Sequence, residues 1–282
     1  MAINEKATAI GLRQVYVGVR DSDGTMKVPD GTPVGTAYPG IRALKARALT
    51  ITPAEPQRIS ASGDDAVYYT FQESPDDVPS GELRTQISDT ALIALMTSTK
   101  DFGSGDQSAV VVGSDKIGQE ESLIIWGSRK AVDTDTGQAH FGNTIYETYI
   151  LLNAIASARP SGMERSTIGE FVWSIAANNS AVDQFGRTFT EAIHGCTEAP
   201  FVIVHTRHPF FMDKFEGNGT ETEFTLTKGT SVIHDAPTTS PIRCFVDGVE
   251  TAVTVDASGV ATISPAPADG ADIVIQYEYS LS

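Results

Sequence analysis

The run Ile273-Val274-Ile275-Gln276-Tyr277-Glu278-Tyr279 alternates along its length, with Ile273, Ile275, Tyr277 and Tyr279 on one side. Successive side chains of a β-strand point to opposite faces. A period of two over seven residues therefore predicts a strand with one buried face. Shorter pieces of the same kind precede it. Phe224-Thr225-Leu226 alternates, and Ile242 to Val246 ends at Asp247-Gly248, a dipeptide suited to a two-residue hairpin turn. Val253-Thr254-Val255 is followed by a turn at Ser258-Gly259 and then by Val260 to Ile263. About five short strands at this spacing predict a small, Ig-like β-sandwich, an accessory module rather than a catalytic one.

Charge sets this segment apart. The chain has 20 Lys and Arg against 36 Asp and Glu, a net charge of -16, and residues 215–282 hold half of that excess. The acids there are interleaved with apolar residues, which describes a folded acidic surface rather than a disordered tail. The Gly/Asn/Thr cluster Phe215-Glu216-Gly217-Asn218-Gly219-Thr220 reads as a turn or short linker. Two domains are expected, 1–214 and 215–282.

The larger part is also strand-rich. The 30 threonines of the chain favour strands over helices. Val15-Tyr16-Val17-Gly18-Val19 reads as a strand, with a turn at Asp21 to Gly24. Further strands are expected at Ala48 to Thr52, Val67 to Phe71, Leu123 to Trp126, Ile145 to Leu151, Phe171 to Ala176 and Phe201 to His205. Leu83, Ile87, Ala91, Ala94 and Leu95 recur at helical spacing, with Glu82 and Lys100 placed to suit the helix dipole. They predict one helix near 82–98. Thr52 to Ala66 has two prolines and few apolar anchors, and reads as a long loop.

A search for reactive groups returns near misses. Gly113 to Gly118 has the glycine spacing of a phosphate-binding loop, but Gln119 and Glu120 stand where Lys and Ser or Thr are needed. Asp133-Thr134-Asp135-Thr136-Gly137 has its glycine fifth, not sixth, and Thr144 where a calcium loop needs an acid. Gly63-Asp64-Asp65 lacks a second acidic motif, and His205 and His208 lack the Glu of a zinc-protease helix. Cys196 and Cys244 are too few for a disulfide framework. They are expected to be free thiols, in a chain whose first residues show no apolar leader. The acid excess argues against binding nucleic acid through its phosphates. One basic cluster stands out: Arg42, Lys45, Arg47 and Arg58. It suits acids on a neighbouring subunit or a solvated strand face. Nucleic acid fits less well, because no aromatic platform is interleaved.

Several stretches, taken in order, carry a resemblance. They are Tyr38-Pro39-Gly40, Leu49-Thr50-Ile51-Thr52-Pro53, the loop through Arg58, Gly63-Asp64-Asp65 and Thr70-Phe71-Gln72. The helix Leu92 to Thr99 with Lys100, and the strand ending Ser128-Arg129-Lys130, complete the set. As a pattern of elements over roughly residues 10–214, this is similar to the major tail proteins of long-tailed bacteriophages. The segment from Phe215 through Val246-Asp247-Gly248 to Pro265-Ala266-Pro267-Ala268-Asp269-Gly270 resembles a module often appended to phage tail proteins.

The resemblance implies a tail tube protein. Its expected fold is mainly β: an antiparallel, sandwich- or barrel-like domain flanked by one α-helix, plus the C-terminal sandwich. Copies would close into hexameric rings that stack as a hollow tube in the virion tail, assembled in the host cytoplasm. The implied partners are further copies of the chain, a tape-measure protein, a tail terminator and distal tail or baseplate proteins. Genomic DNA would pass without specific binding; no membrane, cofactor, metal or catalysis is expected. Open strand edges need partners, and ring closure supplies them. An acid-rich wall keeps a duplex from sticking. Subunit contacts are expected at Arg42, Lys45, Arg47, Arg58, Asp64 and Asp65. Six copies of residues 215–282 would repel one another inside a narrow tube, so that module is expected outside. A capsid decoration protein is the first alternative. A carbohydrate- or host-binding module of a tail fibre is the second, but it would expose aromatics, whereas Trp126 and Trp173 lie in apolar strand patterns.

Overall fold

The computed structural model describes residues 7–52, 57–63, 66–73, 78–86, 90–97, 101–102, 109–110, 122–133, 145–160, 170–234 and 242–280. In chain order the first strands are β1 (Ala7–Val19), β2 (Ile41–Arg42), β3 (Ala46–Thr52), β4 (Gln57–Gly63), β5 (Ala66–Glu73) and β6 (Ser80–Thr85). Helix α1 (Thr90–Met96) precedes β7 (Asp101–Phe102), β8 (Ala109–Val110), β9 (Leu123–Asp133), β10 (Ile145–Pro160) and β11 (Phe171–Ala177). The short α2 (Glu191–His194) leads to β12 (Phe201–Thr206), β13 (Phe210–Glu216) and β14 (Glu223–Thr225). The chain ends with β15 (Arg243–Val246), β16 (Val249–Thr251), β17 (Val253–Val255), β18 (Val260–Ile263) and β19 (Asp272–Glu278). The fold is mainly β, with several antiparallel sheets.

The large sheet has the order β2-β1-β9-β10-β11-β6-β3. Strand β10 is long enough to take two partners along one edge: β12 pairs with Tyr146–Leu151, and β11 with Ala154–Pro160. Strands β2 and β3 stand at opposite ends of the order, yet only Ala43, Leu44 and Lys45 separate them. Four peptide units span about 14 Å at most, so the two ends are drawn together and the sheet rolls up. Two hydrogen bonds pin the crossing: Ala43 N–H donates to Val15 C=O at 2.9 Å, and Gln86 N–H donates to Lys45 C=O at 3.3 Å. Gly127 leaves room for the Leu49 side chain of β3. A Cβ there would lie 2.6 Å from Leu49 Cδ2.

Around β9 both faces of this sheet are buried, which explains runs such as Leu123-Ile124-Ile125-Trp126, apolar at every position. Val15, Val17, Leu123, Ile125 and Leu151 face the inside of the roll with Leu83, Trp173, Ile175 and the α1 residues Leu92, Ile93 and Met96. Tyr16, Ile124, Trp126, Ile150 and Leu152 face outward, onto the C-terminal part.

That part is the expected sandwich, built of sheets β13-β19-β15-β16 and β14-β18-β17. The Asp247-Gly248 turn has positive φ at both residues, 48° and 73°, as a two-residue hairpin turn requires. Ile273, Ile275, Tyr277 and Tyr279 are buried as read, and so is Val274 on the opposite face, so β19 is covered on both faces there. The expected boundary at 214/215 falls inside β13, which pairs with β19 from Phe210↔Glu278 to Glu216↔Asp272. The composition shift at 215 is real, but the strand that opens the sandwich begins five residues earlier. Trp126 stacks on Tyr16 at 4.4 Å and meets the rings of Phe210 and Phe211 edge-on, each at 5.5 Å. Sheet and sandwich thus share one continuous apolar core.

Two further expectations change. The helix read near 82–98 is shorter, and its first part is strand β6. There Leu83 and Thr85 are buried while Glu82 and Arg84 pair on the outside, a period of two. Lys100 lies outside the described residues. The loop read from Thr52 to Ala66 contains a strand: β4 pairs with β5 as an antiparallel hairpin.

Candidate functional site

The basic residues lie along the segment that closes the rolled sheet. Arg42 ends β2 and is exposed; Lys45 sits in the turn with φ 48°; Arg47 is on β3. Arg47 finds an acid within the chain, its Nη1 lying 2.6 Å from Glu170 Oε1. Glu170 also lies 3.7 Å from Arg84 Nη1. Arg58 falls on β4, in the hairpin that follows β3. Asp64 and Asp65 lie outside the described residues. The segment 41–58 therefore carries all four bases.

Among the described residues, β4 and β5 pair with each other and with no other strand. In sequence this hairpin lies between β3 and β6, which pair with each other up to Thr52↔Ser80. Ile59 pairs with Phe71 and Ala61 with Tyr69, so these four positions fall on one face of the ribbon. A two-stranded ribbon is marginal in water and needs a surface to lie on. Further edges lack a strand neighbour among the described residues: the outer edges of β3 and of β12. The outer edge of β13 is partly covered, because Tyr38 and Lys214 exchange backbone hydrogen bonds of 2.9 and 3.1 Å.

Polar groups buried between sheet and sandwich fix how the two meet. Lys214, 1% exposed, reaches from β13 to Asp272 on β19, donates to Thr25 Oγ1 at 2.7 Å and lies 4.0 Å from Asp23 Oδ2. On the next residue, the buried Asp213 carboxylate accepts from Thr227 N–H at 2.8 Å, Thr227 Oγ1 at 2.6 Å and Tyr277 OH at 2.6 Å. Burial pushes the Asp213 carboxyl up, against these hydrogen bonds and the nearby Lys228 charge. Lys228 caps the aromatic core, its Nζ 4.2 Å from the Phe211 ring centroid, and burial followed by the field of Arg42 lowers its pKa. Phe185 stacks on Phe245 at 4.0 Å, with Arg187 and Arg243 over both rings. Beside them the Gly248 turn presses on the backbone of Gly186, where a Cβ would come within 2.9 Å of a carbonyl oxygen.

This buried polar contact was missed in the sequence, though a signal was present. Asp213 and Lys214 interrupt the otherwise apolar run Phe210 to Phe215, and charges inside such a run must find partners.

The other residues considered for chemistry are placed separately. His205 Nε2 lies 3.6 Å from Glu147 Oε1, whereas His208 N–H donates to Glu278 Oε2 at 2.9 Å, so the two histidine positions meet different acids. Glu147 accepts from Arg129 Nε at 2.6 Å and from Tyr149 OH at 3.1 Å. Burial would raise this carboxyl, but Arg129, Tyr149 and His205 together hold it below the usual range. The group borders an open cleft of about 250 Å³ under β3, lined by Leu49, Ile51, Gly127, Arg129 and Tyr149 among others. Cys196 and Cys244 are free thiols, and burial pushes the Cys244 thiol up to about 12, which keeps it protonated and inert. Among the described residues no three His, Cys, Asp or Glu side chains gather as metal ligands, and no helix is long and apolar enough to cross a membrane. Gly113 to Glu120 and Thr134 to Gly137 lie outside the described residues.

Compared with protein-family models and with curated protein sequences, the chain matches none.

Proposed function

We propose that the chain is a structural protein that assembles with copies of itself, in the manner of a tail tube protein of a long-tailed bacteriophage. The observation that carries this reading is the β4–β5 ribbon, a pair of strands with no other strand beside it among the described residues. A ribbon of that kind gains stability by lying against a second surface, and another copy of the chain provides one. The outer edges of β3 and β12 offer backbone groups that further strands can satisfy. On this reading Arg42 and Lys45 on the segment before the ribbon, and Arg58 within it, belong to the subunit contact, and the acid-rich surface belongs to a wall past which DNA moves freely. A tape-measure protein inside, a terminator at one end and a distal tail complex at the other complete the assembly. The C-terminal sandwich lies on the exterior. Both tryptophans are fully buried, which favours this reading over a carbohydrate-binding surface built on exposed indoles. Static light scattering over a wide concentration range tests the proposal. The expected result is a mass that climbs in steps to ring size and beyond; a 30.0 kDa monomer at every concentration overturns it.

A further inference from the structure

Residues 215–282 hold ten acids but only two Lys or Arg, Lys228 and Arg243. Arg243 meets an acid of its own sheet, its Nε lying 3.0 Å from Glu250 Oε1. Lys228, in the turn after β14, has no ion pair among the described residues. Its ammonium lies instead over two rings, 4.2 Å from the Phe211 centroid and 4.9 Å from that of Tyr279. The nearby Asp213 is buried and already taken by Thr227 and Tyr277. So the one unpaired Lys or Arg of an acid-rich module is turned away from its acids and toward the seam with the large sheet.

A second cation faces it there. Arg42 pairs with Tyr16 in the β1–β2 register, and cross-strand partners share one face of a sheet. The Tyr16 ring meets Phe211 edge-on at 5.2 Å, and Phe211 meets Tyr279 edge-on at 5.8 Å. Arg42 and Lys228 therefore flank one aromatic step, Tyr16-Phe211-Tyr279, from the two halves of the molecule. Arg42 is exposed and has no ion pair among the described residues. Two like charges over one step repel each other. An anion between them removes that repulsion and gains charge-assisted hydrogen bonds to both.

We propose that Arg42 and Lys228 form a two-cation clasp for a carboxylate on a second copy of the chain, so that a subunit contact bridges the seam between sheet and sandwich. The inference rests on the self-assembly proposed above and names the chemistry of one of its contacts. Charge complementarity selects the occupant. Glu223, Asp256 and Asp269 of the sandwich are exposed and have no base beside them among the described residues, so each copy carries free carboxylates to offer. The two oxygens of a carboxylate serve a guanidinium fork and an ammonium at once. A nucleic-acid phosphate has the oxygens too, but a chain of net charge -16 repels a polyanion.

Static light scattering against concentration tests this on the full chain and on the double variant Arg42→Gln, Lys228→Gln. At about 0.1 M salt the variant should need about tenfold more protein to reach half of the assembled mass, as expected for losing a hydrogen bond to a charged group. At about 1 M salt the screening length falls from about 10 Å to about 3 Å, and the gap should close to within about threefold. A packing defect would persist in salt. Should the double variant fail to fold, Arg42→Gln alone, at an exposed side chain, gives the same direction. The proposal is overturned if the variant assembles at the wild-type concentration in low salt, or if its deficit is unchanged in high salt; either result leaves self-assembly standing. A wild-type chain that stays monomeric removes both. If assembly is unchanged while the wild type, and not the variant, binds a duplex oligonucleotide, the clasp holds a phosphate and the second copy is excluded.

Discussion

Lys214 shows how one buried charge organises the contact between the two halves. Its aliphatic stem runs through the core while its ammonium meets Asp272 and Thr25, and its backbone holds Tyr38. Lys214→Met keeps most of the volume and removes the charge, leaving Asp23 and Asp272 facing each other without a cation. Lys214 is buried, but the acids left behind have side chains 24% and 37% exposed and are screened by water, so losing the charged hydrogen bond costs about 2 kcal/mol. Equilibrium urea unfolding at pH 8 should show a loss of that order. The loss should shrink toward pH 5, where a proton replaces part of what the lysine supplied. A loss under about 1 kcal/mol at pH 8, the size typical of exposed pairs, would mean that the ammonium is solvated and not part of the contact.

Strands were largely legible: burial of one face leaves a period of two in the sequence at β17 and β19, while β9, covered on both faces, shows an unbroken apolar run instead. The misreadings have local causes. Leu83 fits both a helical stripe with Ile87 and Ala91 and an alternating strand with Thr85; tertiary pairing with β3 and β11 decides for the strand. The ribbon was read as a loop because Gln57 to Gly63 has only Ile59 as a large apolar residue, and its partner strand carries the rest. Nothing in the spacing of Arg42 and Arg47 announces that three residues carry the chain from one end of the sheet to the other. That follows only from the full strand order. Because β4 and β5 pair with no other strand among the described residues, replacing residues 57–73 by a short Gly-Ser turn should leave the far-ultraviolet circular dichroism and the melting temperature close to wild type, while abolishing the large species in light scattering. A variant that assembles as before would remove the ribbon from the subunit contact; one that unfolds would place it in the monomer's core.

In the molecule as a whole, the rolled sheet and the sandwich are bound by shared burial rather than tethered by a linker. Removing the sandwich strips cover from Tyr16, Ile124, Trp126, Ile150 and Leu152 at once, an apolar face of a size that soluble monomers do not leave open. A chain ending at His208 should therefore bind a hydrophobic dye strongly and aggregate. If it stays soluble, monodisperse and fully folded, the two halves are independent after all. The same reasoning bears on assembly. A rigid two-part subunit presents its ribbon and its free strand edges in fixed directions, as a closed ring requires. Electron microscopy of the concentrated full-length chain then decides the matter. The account predicts rings, or tubes of uniform diameter built from stacked rings; fields of separate 30.0 kDa particles at every concentration would contradict it.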